Sequence, residues 1–205
     1  MEVTHSMQPA GSTALDAATQ KSVEQAYALI DPPLWLVTAS HAERRGGFIA
    51  TFVASASIVA SLPRAVIGVS KRHHTWQLIE GGGRFALHLL YPDQLDLVWR
   101  FGLQSGDEID KFADLATQQT PGGSPLVAGA LAWLDCRTEE RMDTGDRTIY
   151  LAAVEHGQAS SDTAPLTAGR LYADAPADKR NLLDTLYAQD AELDKNAILA
   201  WRAAR

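Results

Sequence analysis

The sequence predicts a mainly β chain: an antiparallel barrel of about six to seven strands, with short helices between some of them and helices at both ends. Three observations carry this expectation. Short apolar runs recur between residues 34 and 174, each bounded by Gly, Pro, Asp or Ser. Two pairs of these runs are separated by turn-like stretches, as in hairpins. Long helical patterns do not alternate with the runs, which disfavours a doubly wound parallel sheet.

Taken in order, residues 1–13 are polar and Gly/Ser/Pro-rich without periodicity, and disorder is expected there. "ALDAATQKSVEQAYALI" (Ala14–Ile30) fits an amphipathic helix with Val23, Ala26, Leu29 and Ile30 on one side. Asp31-Pro32-Pro33 ends it, because proline cannot continue a helix. "LWLVTAS" (Leu34–Ser40) and "FIATFVASAS" (Phe48–Ser57) read as a hairpin, with Gly46 and Gly47 expected to supply the permissive turn. "AVIGVS" (Ala65–Ser70) and "RFALHLL" (Arg84–Leu90) are the next strands. Between them, "HTWQLIEGG" allows about two helical turns with a stop at Gly81. "QLDLVWRFG" (Gln94–Gly102) and "DKFADLA" (Asp110–Ala116) read as short helices, and "TQQTPGGSP" as a loop. "ALAWLDCRTEERMD" (Ala130–Asp143) and "RTIYLAAVEHG" (Arg147–Gly157) form a second hairpin around Thr144-Gly145-Asp146. "GRLYAD" (Gly169–Asp174) is expected to be a last strand, and one or two amphipathic helices follow Pro176.

At 205 residues the chain can bury one real core. Its 46% hydrophobic and 21% charged content is that of a globular domain, and no apolar run reaches the roughly 20 residues that cross a bilayer. The first twenty residues lack a basic n-region and an apolar h-region, so no secretory signal is expected. Cys136 is the single cysteine, which excludes an intrachain disulfide and fits a cytoplasmic location. A net charge of -7 disfavours nucleic acid as a partner, since phosphate backbones demand a broad basic face.

No Gly-x-Ser-x-Gly elbow, Walker-type loop or metal-spaced His/Cys pair occurs. His73 and His74 are adjacent and point apart, the other histidines are scattered, and no metal site is expected. "GGGRFA" (Gly81–Ala86) mimics a dinucleotide fingerprint, but the helix precedes it and the strand follows it, the reverse of the required order. These glycines are a helix stop and a turn.

The informative segment is Ser70–Thr75, where a strand hands over to a helix. Lys71, Arg72, His73 and His74 supply cationic or titratable groups, Ser70 and Thr75 supply hydroxyls, and the helix opening supplies N–H donors. Such a junction suits a phosphate, although a solvated basic turn capped by Thr75 has the same composition. Beside it, Ala50–Ser57 is rich in small and hydroxyl residues. Thr51, Ser55 and Ser57 could meet the polar edge of a flat ligand, or the small residues could reflect tight strand packing.

The ordered set of motifs from Pro33 to Gly102, followed by "SGDEIDKFADLA" and "TGDRTIYLAAVEHG", resembles the flavin reductase-like, FMN-binding split-barrel family over roughly Asp31 to Tyr172. The resemblance implies a Greek-key split barrel that forms a homodimer. The chain is expected to divide into a flavin-binding domain spanning 14–174, including the N-terminal helix, and a helical extension at 175–205. The resemblance places Ala50, Thr51, Ser55 and Ser57 along the flavin ring and ribityl chain, Ser70, Lys71, Arg72, His73, His74 and Thr75 around the phosphate, and Trp76 at its flank. FMN is the implied cofactor, with FAD as the alternative flavin and NADH or NADPH as reductant. Family members often carry Gly-Asp-His in the late hairpin, where this chain has Gly145-Asp146-Arg147. Arg147 can pair with an anionic substrate but cannot donate a proton near neutral pH.

The expected function is therefore an NAD(P)H-dependent flavin reductase, with no membrane partner and with a partner oxygenase as one destination for reduced flavin. No catalytic acid or base is identifiable, because the flavin supplies the chemistry. A non-catalytic flavin binder or electron carrier is the alternative, and haem or pyridoxal phosphate would be other ligands for such a barrel.

Overall fold

Strand β1 (Trp35–His41) is apolar on both faces, and the fold follows from that. Val37 and Ala39 point into one buried cluster, whereas Leu36, with the preceding Leu34, points into a second. In the computed structural model, which describes residues 15–104, 106 and 109–205, one curled antiparallel sheet separates the two clusters. The disorder expected for residues 1–13 lies outside the described residues.

The sheet contains β1, β2 (Arg44–Ala50), β3 (Val53–Ser55), β4 (Arg64–Ser70), β5 (Arg84–Leu89), β8 (Ala132–Asp143) and β9 (Arg147–Ala159), in the order β2-β1-β5-β8-β9-β4-β3. A small ribbon of β6 (Thr117–Gln119) and β7 (Pro125–Val127) lies apart from it. The helices among the described residues are α1 (Ala17–Ala28), α2 (His74–Gly82), α3 (Leu95–Gly102), α4 (Ala168–Asp174) and α5 (Ala177–Ala203). The expected mainly β, split-barrel architecture is the one observed. Register shifts at Asp135/Cys136 and Thr138/Glu140 interrupt the long β8–β9 hairpin, where bulges of this kind bend a strand pair.

The β1–β2 turn differs from the expectation. It is made by Ala42 and Glu43, both at positive φ (48° and 65°), a two-residue hairpin of the primed type. Gly46 and Gly47 lie within β2, paired with Ala39 and Thr38. Successive residues face opposite sides of a strand, and each glycine admits a helix. A Cβ on Gly46 would sit 2.8 Å from the His74 ring and 3.0 Å from Leu78 of α2, and one on Gly47 would sit 2.9 Å from Phe101 of α3. The glycine pair seats two helices on one strand.

Other departures have equally local causes. The Phe48–Ser57 run is broken at Thr51-Phe52 into β2 and β3. Helix α2 stops at Gly83, left-handed at φ 65°, and not at Gly81. Residues 110–116 turn instead of forming a helix: the Asp110 carboxylate accepts from the Phe112 amide at 3.0 Å, and the buried Lys111 ammonium donates to the Gly47 and Phe101 carbonyls at 3.1 and 2.9 Å. Part of the expected loop at 117–125 pairs as β6 and β7. Gly169–Asp174 belongs to a helix, α4, because Thr167 caps it through the Arg170 amide at 3.2 Å. Helix α1 forms as expected but buries none of its residues, and Leu29 is 88% exposed.

Candidate functional site

The β4–α2 turn begins where β4 runs out of partners. The Lys71 amide still donates to the Asp146 carbonyl of the β8–β9 turn at 3.1 Å, and the His73 amide folds back on the Ser70 carbonyl at 3.0 Å. The Ser70 hydroxyl lies 3.5 Å from the Arg72 amide. Helix α2 then starts with no side-chain cap, so its first amides, those of His74 and Thr75, precede any in-helix acceptor.

The charged groups of this turn are Lys71 and Arg72. Lys71 Nζ donates to Asp143 at 2.7 Å; Arg72 reaches Asp190 at 2.7 Å and Asp194 at 2.9 Å. His73 adds no charge at neutral pH. Burial pushes its pKa down to about 4, with the Lys111 ammonium acting in the same direction, and its ring lies 4.7 Å from that of Phe48. His73 Nδ1 is buried with no hydrogen-bond partner among the described residues. His74 and Thr75 are buried with their side chains turned toward β2; His74 Nδ1 accepts from Arg44 at 2.9 Å. Trp76 is half-buried, and its indole N–H donates to the Thr148 hydroxyl of β9 at 2.9 Å, tying α2 to the sheet.

The 50–57 ribbon meets this turn at one end only. Ala50 is buried in the inner cluster, while Thr51 is exposed close to the end of β4. Farther along, Ser55 pairs with Ala65, about 17 Å from Ser70 at strand rise. The Ser55 hydroxyl donates to the Ser57 carbonyl at 3.2 Å, and the Ser57 hydroxyl accepts from the Val59 amide at 3.1 Å. Phe52, 44% exposed, covers β4 at Gly68, which leaves room for its ring: a Cβ there would stand 2.3 Å from it. Reading the sequence as a run of small residues missed Phe52; the glycine inside "AVIGVS" was the signal.

Arg147 lies at the start of β9, opposite Ser70 in register. Its guanidinium pairs with Asp146 and, at 2.9 Å, with Asp194 of α5. Sequence reading assigned nothing to Asp190 and Asp194, because a solvated acidic helix face is common and the fold alone brings it here. Two clefts of about 410 and 420 Å³ flank the β1–β2 turn, and of the expected site residues only His74 lines either. Among the described residues no cluster of His, Cys, Asp and Glu could hold a metal, and no helix is long and apolar enough to cross a membrane.

The turn and ribbon fit a flavin phosphate and ring in chemical type: two fixed cations at one end, and exposed small and hydroxyl residues with one aromatic along the other. Comparison with known proteins identifies the family. The family described as flavin reductase like domain matches residues 28–174. The reductase subunit HsaB of a flavin-dependent monooxygenase from Mycobacterium tuberculosis is 33% identical over 120 residues, 58% of this chain and 62% of that one. Diflavin flavoprotein A 1 of Synechocystis is 30% identical over 139 residues, 67% of this chain but 24% of that protein, so this chain matches about a quarter of it. The crystal structure of a nitrilotriacetate monooxygenase component B homologue from Mycobacterium thermoresistibile superposes with a TM-score of 0.63 at 25% identity, covering 74% of this chain and 83% of that one.

Proposed function

The chain belongs to the flavin reductase like domain family, and from that premise we propose that it is an FMN-binding oxidoreductase, an NAD(P)H-dependent flavin reductase. The observation that supports it most is the pairing of a cationic strand-to-helix turn with an exposed small-residue ribbon, joined along β4. In this reading Lys71 and Arg72 hold the phosphate, together with the Ser70 hydroxyl and the first amides of α2. Phe52, Thr51 and the Ser55–Ser57 stretch border the ring and ribityl chain. Trp76 and Thr148 keep the turn at a fixed distance from β9. Bound flavin supplies hydride acceptance at its N5, so the protein's contribution is orientation and electrostatics. Arg147 stays protonated and offers a fixed positive charge to an anionic nicotinamide nucleotide; it does not move a proton.

The test is the visible spectrum of the protein with added FMN, and its NADH and NADPH oxidation rates against a flavin-only blank. Oxidation at the blank rate would remove the reductase assignment. The site assignment is tested by Lys71→Ala/Arg72→Ala, expected to weaken FMN by roughly 10- to 100-fold and riboflavin hardly at all, since only FMN carries the charge. The effect falls below what two charge-assisted contacts allow because both cations already have carboxylate partners. Equal weakening of both ligands would place the phosphate elsewhere.

A second reading, a flavin-binding electron carrier without pyridine-nucleotide turnover, has Arg147 in its favour and is distinguished by the same rate measurement. The wider proposal includes a cytoplasmic location, FAD as an alternative flavin, a partner oxygenase as recipient of reduced flavin, and a 14–174 flavin domain with a helical extension at 175–205. It also includes a homodimer. Phe52, Ile58, Val59 and Leu62 form a run of exposed apolar residues from β3 to β4, with Ile58 fully exposed. Light scattering is expected to report a dimer that Ile58→Glu/Leu62→Glu converts to monomer; a monomeric parent protein would remove this part.

A further inference from the structure

Helix α5 places two carboxylates on the turn to which the phosphate is assigned above. Asp190 and Asp194, one helical turn apart, take the two terminal nitrogens of Arg72 at 2.7 and 2.9 Å, and Asp194 uses its other oxygen for Arg147 at 2.9 Å. The helix is also seated sterically. Gly145, at φ 93° in the β8–β9 turn, lies so close to α5 that a Cβ would stand 2.6 Å from Trp201 Cβ and 2.8 Å from the Ala197 carbonyl. Elsewhere α5 is held by partial burial: Leu183 packs against the second core cluster, and none of its described residues is fully buried. The Asp194 side chain is itself only 17% exposed.

We propose that α5 is a displaceable acidic cover whose Asp190 and Asp194 compete with a ligand's phosphate for Arg72. The inference rests on the reading that this turn binds the phosphate of FMN. Each terminal nitrogen of Arg72 already gives one N–H to a carboxylate, so a dianion that binds there either displaces a carboxylate or shares the guanidinium with two like charges. If the helix stays in place, the incoming charge faces two like charges at short range. The Arg72–Asp190 pair is exposed and contributes little to stability, and no described residue of α5 is buried, so the cover can lift without unfolding the barrel. Its effect is selective: it opposes phosphate-bearing flavins and is indifferent to riboflavin.

The experiment compares the full-length protein with Asp190→Asn/Asp194→Asn by titration with FMN and with riboflavin at low salt. The variant is expected to bind FMN on the order of tenfold more tightly and riboflavin unchanged. Trp201→Ala, which loosens the seat but leaves the charges, is expected to shift FMN affinity in the same direction. Unchanged or weaker FMN binding in the aspartate variant overturns the cover, and weaker binding would mean that Asp194 orients the arginines. Failure of the underlying site shows differently: the parent protein would bind FMN and riboflavin alike, and Lys71→Ala/Arg72→Ala would alter neither.

Discussion

Alanine in place of His88 is expected to lower the unfolding free energy by about 3–5 kcal/mol. His88 is fully buried on β5 and makes two hydrogen bonds that no apolar residue can replace. Its Nδ1 donates to the Leu36 carbonyl of β1 at 3.1 Å, and its Nε2 accepts from the Val127 amide of β7 at 3.1 Å. This pattern requires the neutral ring protonated at Nδ1. Alanine leaves a cavity and strips the Val127 amide of its partner, so that the Thr38–Pro125 hydrogen bond remains to tie β7 to β1. Burial holds the His88 pKa down at about 4, against the opposing hydrogen bond to Leu36. In the unfolded chain the ring titrates near its ordinary value of 6.5. Between these values the unfolded state binds the additional proton, so stability falls as pH falls from 6.5 toward 4 and is complete above 6.5. The loss attributable to one such histidine approaches about 3 kcal/mol at the acid end. Urea melts at neutral and mildly acidic pH are expected to show this slope in the parent protein and a shallower one in His88→Ala, where His73 still titrates in the same window. A variant within about 1 kcal/mol of the parent protein would contradict this role.

Gly46→Val is expected to cost about 2–3 kcal/mol and to weaken FMN binding as well. The new side chain would meet His74, Leu78 and the Thr75 hydroxyl, all buried, so the strain is relieved only by lifting the first turns of α2 away from β2. Those turns carry the amides assigned to the phosphate. Gly102→Ala is the control: its Cβ would make ordinary contact with Ile49 at 3.5 Å at the end of α3, and a near-neutral effect is expected there. Thermal melts and FMN titration of the two variants separate a packing effect on the site from general loss of stability. Wild-type FMN affinity in Gly46→Val would disconnect α2 from the site.

Legibility in the sequence followed the range of the forces involved. The strands around "LWLV" and "RFALHLL" were readable because burial on both faces demands near-continuous apolar runs, and the Gly145 turn because its partners are local. The β1–β2 turn was misplaced because the glycines that caught attention answer to α2 and α3, distant in sequence, while Ala42 and Glu43 carry no turn signature. Gly169–Asp174 reads as a strand by pattern, and only the Thr167 cap marks the helix. At the site, Lys71 and Arg72 were legible as a cluster beside a helix start. The neutrality of His73 depends on burial by Phe48, and the attachment of Arg72 and Arg147 to Asp194 depends on where a helix more than forty residues away in sequence comes to lie.

The strand order β2-β1-β5-β8-β9-β4-β3 also constrains how the chain is made. By residue 131 synthesis has delivered two unconnected pieces of sheet, β2-β1-β5 and β3-β4, each with one long strand whose ladder groups have no neighbour. The missing centre is a single hairpin of adjacent strands, which forms from nearby residues and closes both seams when it leaves the ribosome. A nascent chain paused before that point presents two bare templates for pairing with other molecules, and protection of those edges by chaperones matters most in that interval.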